Sequence, residues 1–262
     1  MFDYHMHSKV SFDGKSDAIE MALAAKERGL KEICFTDHID REINVEKEIM
    51  VFDTQVYRDT YENLEVPGLK IRKGVEYGIK VGCTDQAQGD LKRYDFDFVL
   101  GSVHFVKEVD VYLEPYWVGK DLQEAYREFM EETLACVQEH DCFDVLGHLT
   151  FICKGRGNPY KELLHYKDHR EIVDEILREL ARKGKGMEIN TSGVDRCGGF
   201  LPTADFFRRF KELGGEIVTI GSDSHNAERV GQYSREACEI MKEIFGYVCT
   251  FEKRQPIFHK LY

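Results

Sequence analysis

Seven apolar, strand-like runs of this sequence end in a histidine, a carboxylate or both. The runs are FDYHMH, KEICFTDH, LKIRKGVEYG, DFVLGSVH, DVLGHL, GMEIN and EIVTIGSDSH. In a closed parallel barrel all strands run the same way, so the side chains at their carboxyl ends converge on one mouth. Histidine and carboxylate side chains are also the common protein ligands of metal ions. The pattern therefore predicts a parallel barrel with a metal-binding mouth.

Segments with helical periodicity alternate with these runs. Apolar residues recur at spacings of three and four over residues 16–28, 121–140, 166–182, 204–213 and 234–245, with Ser16 as a predicted helix cap and Gly29 as a stop. About seven strand–helix units favour a β/α barrel over an open sheet, in one domain spanning residues 1–262. The longer stretches 40–68 and 105–120 are predicted to form loops or short helices over the mouth, and residues 40–68 are a candidate lid.

Composition limits the partners that this chain can bind. The net charge of −12 disfavours nucleic acid, whose binding depends on phosphate neutralisation by Lys and Arg. No run reaches the roughly 20 apolar residues that span a bilayer, and the amino terminus lacks a signal-peptide pattern. Eight cysteines without a C-x-x-C motif are typical of reduced thiols, which indicates a cytoplasmic protein. The sequence does not indicate an oligomeric state.

Two short motifs place metal-ligand residues two positions apart. His5 and His7 share one face of an extended strand, and Asp223 and His225 repeat this geometry. A single residue of this kind is more often an ordinary structural side chain than a metal ligand. The complete set of candidates is His5, His7, Asp13, His38, Glu76, His104, His148, Asp223 and His225. Nine such residues at the ends of successive strands indicate one shared site.

The ordered motifs H-x-H, S-F-D-G, T-D-H, the isolated Glu76, G-S-V-H, G-H and S-D-S-H resemble the PHP (polymerase and histidinol phosphatase) superfamily. The resemblance extends from the first residues to about residue 225 and is strongest to the stand-alone histidinol-phosphatases. It implies a distorted seven-stranded TIM-like barrel, (β/α)7, with up to three divalent metals at the mouth. Asp13 stands where other members carry His, which bears on the affinity for the third metal.

The resemblance also implies how the nine residues divide among the metals. His5, His7, Glu76 and Asp223 would surround the first metal. Glu76 would bridge to a second metal held by His104 and His148. Asp13, His38 and His225 would hold the third. Nitrogen-rich sites with a few carboxylates suit Zn²⁺, Fe²⁺, Mn²⁺ or Co²⁺ better than Mg²⁺ or Ca²⁺, so we expect two to three ions of the former kind.

The expected chemistry is hydrolysis of a small phosphomonoester. Three divalent cations and three ligand carboxylates leave a net charge of about +3, which attracts a dianion. A metal-bridging hydroxide would attack phosphorus, and Asp223 or His38 would move the proton. Arg156 and Arg196, in glycine-containing loops, and Asn190, at a strand end, are candidate substrate-binding residues.

Three functions are consistent with this site. The first is hydrolysis of L-histidinol phosphate in histidine biosynthesis. The second keeps the metal site but acts on a nucleoside phosphate, another small phosphomonoester or the 3′ end of a nucleic acid, although the acidic charge disfavours the last. The third is a non-catalytic metal-binding module, which is disfavoured because all nine ligand positions are filled.

Overall fold

Strands and helices alternate along most of the chain. A computed structural model describes residues 1–41 and 50–262. The strands are β1 (Phe2–Asp3), β2 (Glu32–Phe35), β3 (His38–Ile39), β4 (Lys70–Gly78), β5 (Phe98–Ser102), β6 (Phe105–Val106), β7 (Val109–Asp110), β8 (Val145–Leu146), β9 (Gly186–Asn190), β10 (Val218–Gly221), β11 (Tyr247–Glu252) and β12 (Gln255–Lys260). The helices are α1 (Ala18–Glu27), α2 (Thr54–Tyr61), α3 (Thr84–Leu91), α4 (Glu114–Trp117), α5 (Leu122–Glu139), α6 (Arg170–Arg182), α7 (Val194–Cys197), α8 (Ala204–Glu212) and α9 (Ser234–Ile244). Short 3₁₀ helices cover Phe151–Lys154, Tyr166–Asp168 and Ala227–Arg229.

Seven parallel strands form the central sheet in the order β1-β2-β4-β5-β8-β9-β10, and β3 also pairs with β4. The two edges of this sheet meet. The Tyr4 N–H donates to the Ile220 carbonyl at 2.8 Å, and the Asp223 N–H donates to the His5 carbonyl at 2.7 Å. The sheet is therefore nearly closed into a barrel, which confirms the predicted fold class. Among the described residues, no helix is long and apolar enough to cross a membrane.

The predicted helices are present, with small changes at their ends. Helix α1 begins after Asp17, whose backbone N–H donates to the Glu20 carboxylate at 3.0 Å, so Asp17 rather than Ser16 caps the helix. The Ser16 hydroxyl instead accepts a hydrogen bond from the Ala227 N–H at 3.1 Å. The predicted helix over residues 166–182 is a 3₁₀ turn followed by α6.

The antiparallel hairpin β11–β12 covers the amino-terminal end of the barrel. Phe251 packs on Phe98, the first residue of β5, with ring centroids 4.9 Å apart. Arg254 donates to the Asp144 carboxylate at 2.5 Å, just before β8 begins. The hairpin therefore leaves the opposite end of the barrel, at the carboxyl ends of the strands, available for a functional site.

The two long stretches predicted to cover the mouth have different structures. Residues 42–49 of the candidate lid lie outside the described residues. In the described part, α2 packs against the barrel, and the hydroxyl of the buried Tyr57 donates to the Gly74 carbonyl at 2.7 Å. Residues 105–120 form the small hairpin β6–β7 and the short helix α4, as expected of short elements.

Candidate metal centre

Glu76, near the carboxyl end of β4, lies at the centre of a cluster of imidazoles and is 1% exposed. Its Oε2 atom is 3.1 Å from His5 Nε2 and 3.3 Å from His7 Nε2. The same oxygen is 3.2 Å from His38 Nδ1. Its Oε1 atom is 2.8 Å from His148 Nε2 and 3.2 Å from His104 Nε2. Five imidazoles from four segments of the chain thus surround one carboxylate.

Asp223 closes the cluster on the side of the first histidines. Its Oδ1 atom is 3.7 Å from His5 Nε2 and 3.5 Å from His7 Nε2. The residue follows β10 with φ of +52°, a backbone conformation that few non-glycine residues adopt. The turn directs the carboxylate back toward the strand end that carries His5.

The remaining candidates, Asp13 and His225, are more exposed and form a second group with His38, which also contacts Glu76. Asp13 Oδ2 is 2.8 Å from His225 Nε2 and 3.7 Å from His38 Nε2. The His7 ring stacks on both the His38 and His225 rings, with centroids 4.3 Å apart in each pair. We call Asp13, His38 and His225 the outer half of the cluster, and the other six residues (His5, His7, Glu76, His104, His148 and Asp223) the inner half. The structure therefore brings all nine predicted residues together at the mouth.

Two carboxylates behind the imidazoles were not among the predicted ligands. Glu188 Oε1 accepts from His5 Nδ1 at 2.7 Å, and Asp40 Oδ1 accepts from His104 Nδ1 at 2.9 Å. With Nδ1 protonated, each Nε2 presents its lone pair to the centre of the cluster, as second-row carboxylates do at metal sites. A spacing of two residues carried the signal: Asp40 follows His38 by two, and Glu188 precedes Asn190 by two.

Glycines make room for both of these carboxylates. A Cβ atom on Gly78 would lie 1.8 Å from Asp40 Oδ1, and one on Gly221 would lie 2.0 Å from Glu188 Oε1. Gly78 follows Glu76 by two residues on β4, and Gly221 precedes Asp223 by two. On β4 and at the end of β10, a residue that faces the cluster is therefore two positions away from a glycine that leaves space for a second-row carboxylate.

Lys154 is a buried cation at the edge of the inner half, and sequence reasoning missed it. Its ammonium donates to Asp223 Oδ2 and, at 2.9 Å, to Ser192 Oγ. Asp223 thus divides its two oxygens, with Oδ1 toward the imidazoles and Oδ2 toward Lys154. The 3₁₀ turn Phe151–Lys154 directs this side chain inward. No sequence signal distinguishes it from Arg156 two residues later.

A hydroxyl network fixes the segments that carry His7 and His38. Tyr61, on α2, donates to Asp37 Oδ2 at 2.5 Å, and Ser11 donates to Asp37 Oδ1 at 3.0 Å. The Ser11 hydroxyl in turn accepts from the His38 N–H at 2.9 Å. The buried Asp37 therefore ties the loop after His7 to the end of β2, although it does not face the cluster itself.

Burial and the neighbouring charged groups shift the pKa values of the clustered side chains. Burial alone would lower the pKa of His5, but Glu188, Glu76 and Asp223 raise it well above the usual value. Burial and the neighbouring His38 and His225 rings lower the pKa of His7 to about 3. Although burial opposes it, the imidazoles of His5 and His38 hold the pKa of Glu76 well below its usual range. The carboxylates therefore favour a positive charge on His5 beside Glu76, whereas the surroundings of His7 favour its neutral form.

The donor set fits divalent cations. Oε2 of Glu76 is buried and accepts no hydrogen bond from residues 1–41 or 50–262, although three imidazole nitrogens lie within 3.3 Å. His5 Nε2 and His7 Nε2 are 3.1 Å apart, and two ligands held at about 2.1 Å by one tetrahedral ion lie roughly 3.4 Å apart. Within the described ranges, groups with ligand atoms within 4.8 Å of one another are His5–Glu76–His148, His5–His7–Asp223, His7–His38–His225 and His38–Asp40–His104.

The three predicted substrate-binding residues occupy different environments. Arg156 and Arg196 are exposed at the rim, and the Arg196 guanidinium carbon is 5.8 Å from the Tyr112 ring centroid. Asn190 is buried inside the site, where its amide donates to Glu188 Oε2 at 3.1 Å and its Oδ1 accepts from the Ser192 N–H at 3.0 Å. Asn190 is thus placed to orient protein groups, whereas the arginines face solvent.

Comparison with known proteins identifies the class to which this fold and site correspond. The family model of the PHP domain matches residues 3–192. The chain belongs to the PHP family, as its motifs indicated.

Within this family, the chain is similar to histidinol-phosphatases. A histidinol-phosphatase of Lactococcus lactis is 33% identical over 95% of this chain and 93% of its own. A probable histidinol-phosphatase of Clostridium acetobutylicum is 31% identical over 97% of this chain and 98% of its own. The crystal structure of the Lactococcus lactis histidinol phosphate phosphatase with zinc, L-histidinol and phosphate superimposes with a TM-score of 0.84, at 28% identity and 98% coverage of both chains.

Proposed function

We propose that this protein is a metal-dependent histidinol-phosphatase that hydrolyses L-histidinol phosphate to L-histidinol and phosphate, a step of histidine biosynthesis. The observation that carries the proposal is the cluster around Glu76, where five imidazoles and Asp223 surround one buried carboxylate. A relative over nearly the whole chain is a histidinol-phosphatase, and the similar crystal structure contains zinc, L-histidinol and phosphate. Both findings support this substrate over other phosphomonoesters.

The nine clustered residues would hold two to three divalent ions, Zn²⁺, Mn²⁺, Fe²⁺ or Co²⁺. His5, His7, Glu76 and Asp223 form the first proposed ligand set. Glu76, His104 and His148 form the second, and Asp13, His38 and His225 the third. The separations within the sets, between 2.8 and 3.7 Å, suit residues that share an ion, and His38 connects the third set to Glu76 at 3.2 Å.

Bound divalent ions would supply an activated water and neutralise the charge that develops on the phosphoryl oxygens. The protein side chains do the remaining work. Glu188 and Asp40 fix the tautomers of His5 and His104, so that lone pairs rather than protons face the centre. Asp223 or His38 would move the proton to the departing alcohol. Arg156 and Arg196 would approach the phosphate from the rim, and Asn190 would contribute a buried amide.

Lys154 adds a positioning role that follows from its contacts. Its ammonium takes one oxygen of Asp223 and leaves the other for the imidazole side. A buried carboxylate without such a partner would be free to rotate or to accept a proton. Lys154 therefore orients Asp223 for its role as a ligand.

The same proposal covers the protein as a whole. Residues 1–262 would form a single PHP domain, which is supported by one continuous hydrophobic core extending from Phe2 to Phe251. We expect a cytoplasmic enzyme that acts on a small phosphorylated substrate. The net charge of −12 is consistent with a site that attracts its dianionic substrate locally rather than through the overall protein field.

The test is phosphate release from L-histidinol phosphate by protein reconstituted separately with Zn²⁺, Mn²⁺, Fe²⁺ and Co²⁺, beside a chelated control. A panel of nucleotides and sugar phosphates provides the comparison. We expect metal-dependent turnover with the highest kcat/KM for L-histidinol phosphate. A higher kcat/KM for another phosphomonoester would contradict the proposed substrate. If protein with measured metal content hydrolysed none of these compounds, the proposed phosphatase activity would be refuted.

A further inference from the structure

A row of aromatic rings leads outward from the inner half of the cluster. The Phe151 ring centroid lies 4.7 Å from those of both His104 and His148. The Tyr112 ring lies next, 6.1 Å from Phe151 and tilted by only 26° from its plane. We call Phe151 and Tyr112 the aromatic wall, and it connects the metal ligands with the rim of the mouth.

Backbone contacts fix the wall in place. The Val111 N–H donates to the His104 carbonyl at 3.0 Å, and the Gly157 N–H donates to the Tyr112 carbonyl at 2.8 Å. A Cβ atom on Gly157 would lie 2.2 Å from the Glu114 nitrogen, so the two loops are in direct contact. Tyr112 is therefore held in position before any ligand arrives, which lowers the entropic cost of binding.

Tyr112 differs in accessibility from three other aromatic residues, Trp117, Tyr116 and Tyr77. Trp117 is buried and donates its indole N–H to the Val111 carbonyl at 2.9 Å. Tyr116 and Tyr77 are also buried, with hydroxyls that donate to the Ala125 carbonyl at 2.9 Å and to Asp90 at 3.1 Å. These rings belong to the core. Tyr112 is half-buried, so part of it is accessible to a ligand.

Two cations border the wall. The Lys154 ammonium lies 5.1 Å from the Phe151 ring centroid, and the Arg196 guanidinium carbon lies 5.8 Å from that of Tyr112. A cavity of about 650 Å³ adjoins these loops and is lined by Leu113, Glu114, Pro115, Trp117, Val118, Arg156, Gly157 and Pro159. A phosphoester anchored at the proposed metal ligands would thus have its alcohol portion beside Phe151 and Tyr112, and Leu113, the residue after Tyr112, lines the cavity.

We propose that the aromatic wall is the subsite for the leaving group and that Tyr112 stacks on its imidazole ring. This inference rests on the proposed function, because it requires a substrate with a planar ring attached to the phosphorylated alcohol. Tyr112 is then a specificity-determining residue. It selects the ring of the alcohol and takes no part in the chemistry at phosphorus.

The experiment compares two substrates in matched variants. L-histidinol phosphate carries the ring, and 2-aminoethyl phosphate has the same amine and ester without it. We expect Tyr112→Leu to lower kcat/KM for L-histidinol phosphate about 10-fold, mostly through KM, because one stacked aromatic pair is lost. For 2-aminoethyl phosphate the change should stay within about 2-fold, since no stacking is present to lose. Tyr112→Phe should retain the preference for the ring.

Binding measurements separate stacking from a general disturbance of the site. L-Histidinol should inhibit the Tyr112→Leu variant about 10-fold more weakly, whereas the inhibition constant of inorganic phosphate should be unchanged. Tyr166→Leu is the matched control, because Tyr166 is also half-buried but packs on Phe206 and donates to Asp174. It should change neither constant.

Two results would overturn the inference, and they differ from failure of the proposed function. Equal losses for both substrates in Tyr112→Leu, or no loss for either, would show that the wall does not recognise the ring. A wild-type enzyme that hydrolyses 2-aminoethyl phosphate but not L-histidinol phosphate would refute the proposed function, and this inference with it.

Discussion

The inner and outer halves of the cluster use the same ligand types in different surroundings. Side chains of the inner half are at most 9% exposed, whereas those of Asp13 and His225 are 32% and 26% exposed. His5 and His104 of the inner half donate to Glu188 and Asp40, although Asp40 also lies 3.0 Å from His38 Nδ1. In the outer half, His225 Nδ1 lies 3.0 Å from the Asp223 backbone carbonyl and 3.7 Å from Asp223 Oδ1. Buried charges need well-placed partners, so the proposed inner ions should be held more tightly than the proposed third ion. The two halves thus differ in burial while using the same types of ligand.

The largest effect is expected at the centre of the inner half. Glu76→Gln preserves the volume but removes the charge that five imidazoles share, and we expect turnover to fall at least about 1,000-fold. Inner metal content should fall with it, as measured by atomic absorption. Glu65→Gln, at an exposed carboxylate, is the matched control and should retain full activity. Substantial activity in Glu76→Gln would contradict the proposed bridging role.

Glu188 should have a smaller effect that is still confined to the inner half, because the histidines it contacts are His5 and His148. We expect Glu188→Gln to weaken metal binding and turnover about 10–100-fold, because His5 loses the partner that fixes its tautomer. Titration with a chromogenic chelator measures the affinity directly. A variant with unchanged affinity but lower stability would show that Glu188 serves only the core.

Lys154 tests whether the ion pair with Asp223 orients a ligand. Lys154→Met keeps the length of the side chain but removes the charge, and we expect it to lower both inner-metal affinity and kcat by about 10-fold. Lys154→Arg restores the charge and should recover part of the loss. Should kcat fall with unaltered metal affinity in both variants, the lysine acts on the substrate instead.

The smallest effect is expected in the outer half. Asp13→Asn should lower turnover by less than about 10-fold, because the proposed third ion would be screened by solvent and would only supplement the proposed inner pair. Stepwise chelation of the wild type should remove one ion before the other two, and Asp13→Asn should lack this first step. Simultaneous loss of all metals in both proteins would contradict the expected difference in metal affinity between the two halves.

The parallel barrel and its helices were predictable because their signals are local. Period-two and period-3.6 patterns report the buried face of each element, and the structure confirms the barrel. The helix cap at Asp17 was predicted wrongly at Ser16, since both residues can cap and only the packing of Ser16 against Ala227 separates them. The hairpin β11–β12 was not predicted, because it covers the amino-terminal end of the barrel through packing contacts that require no particular sequence motif.

The sequence by itself determined which residues meet at the mouth, because parallel strands bring their carboxyl ends to one side and the ligands stand at those ends. Only the tertiary structure decided what lies behind them. His5 and Glu188 are 183 residues apart in the chain, and no local pattern encodes that pairing. The same holds for Lys154 and Arg156, where the path of one 3₁₀ turn directs the lysine into the site and leaves the arginine in solvent. Such choices depend on long-range packing, which a sequence pattern does not express.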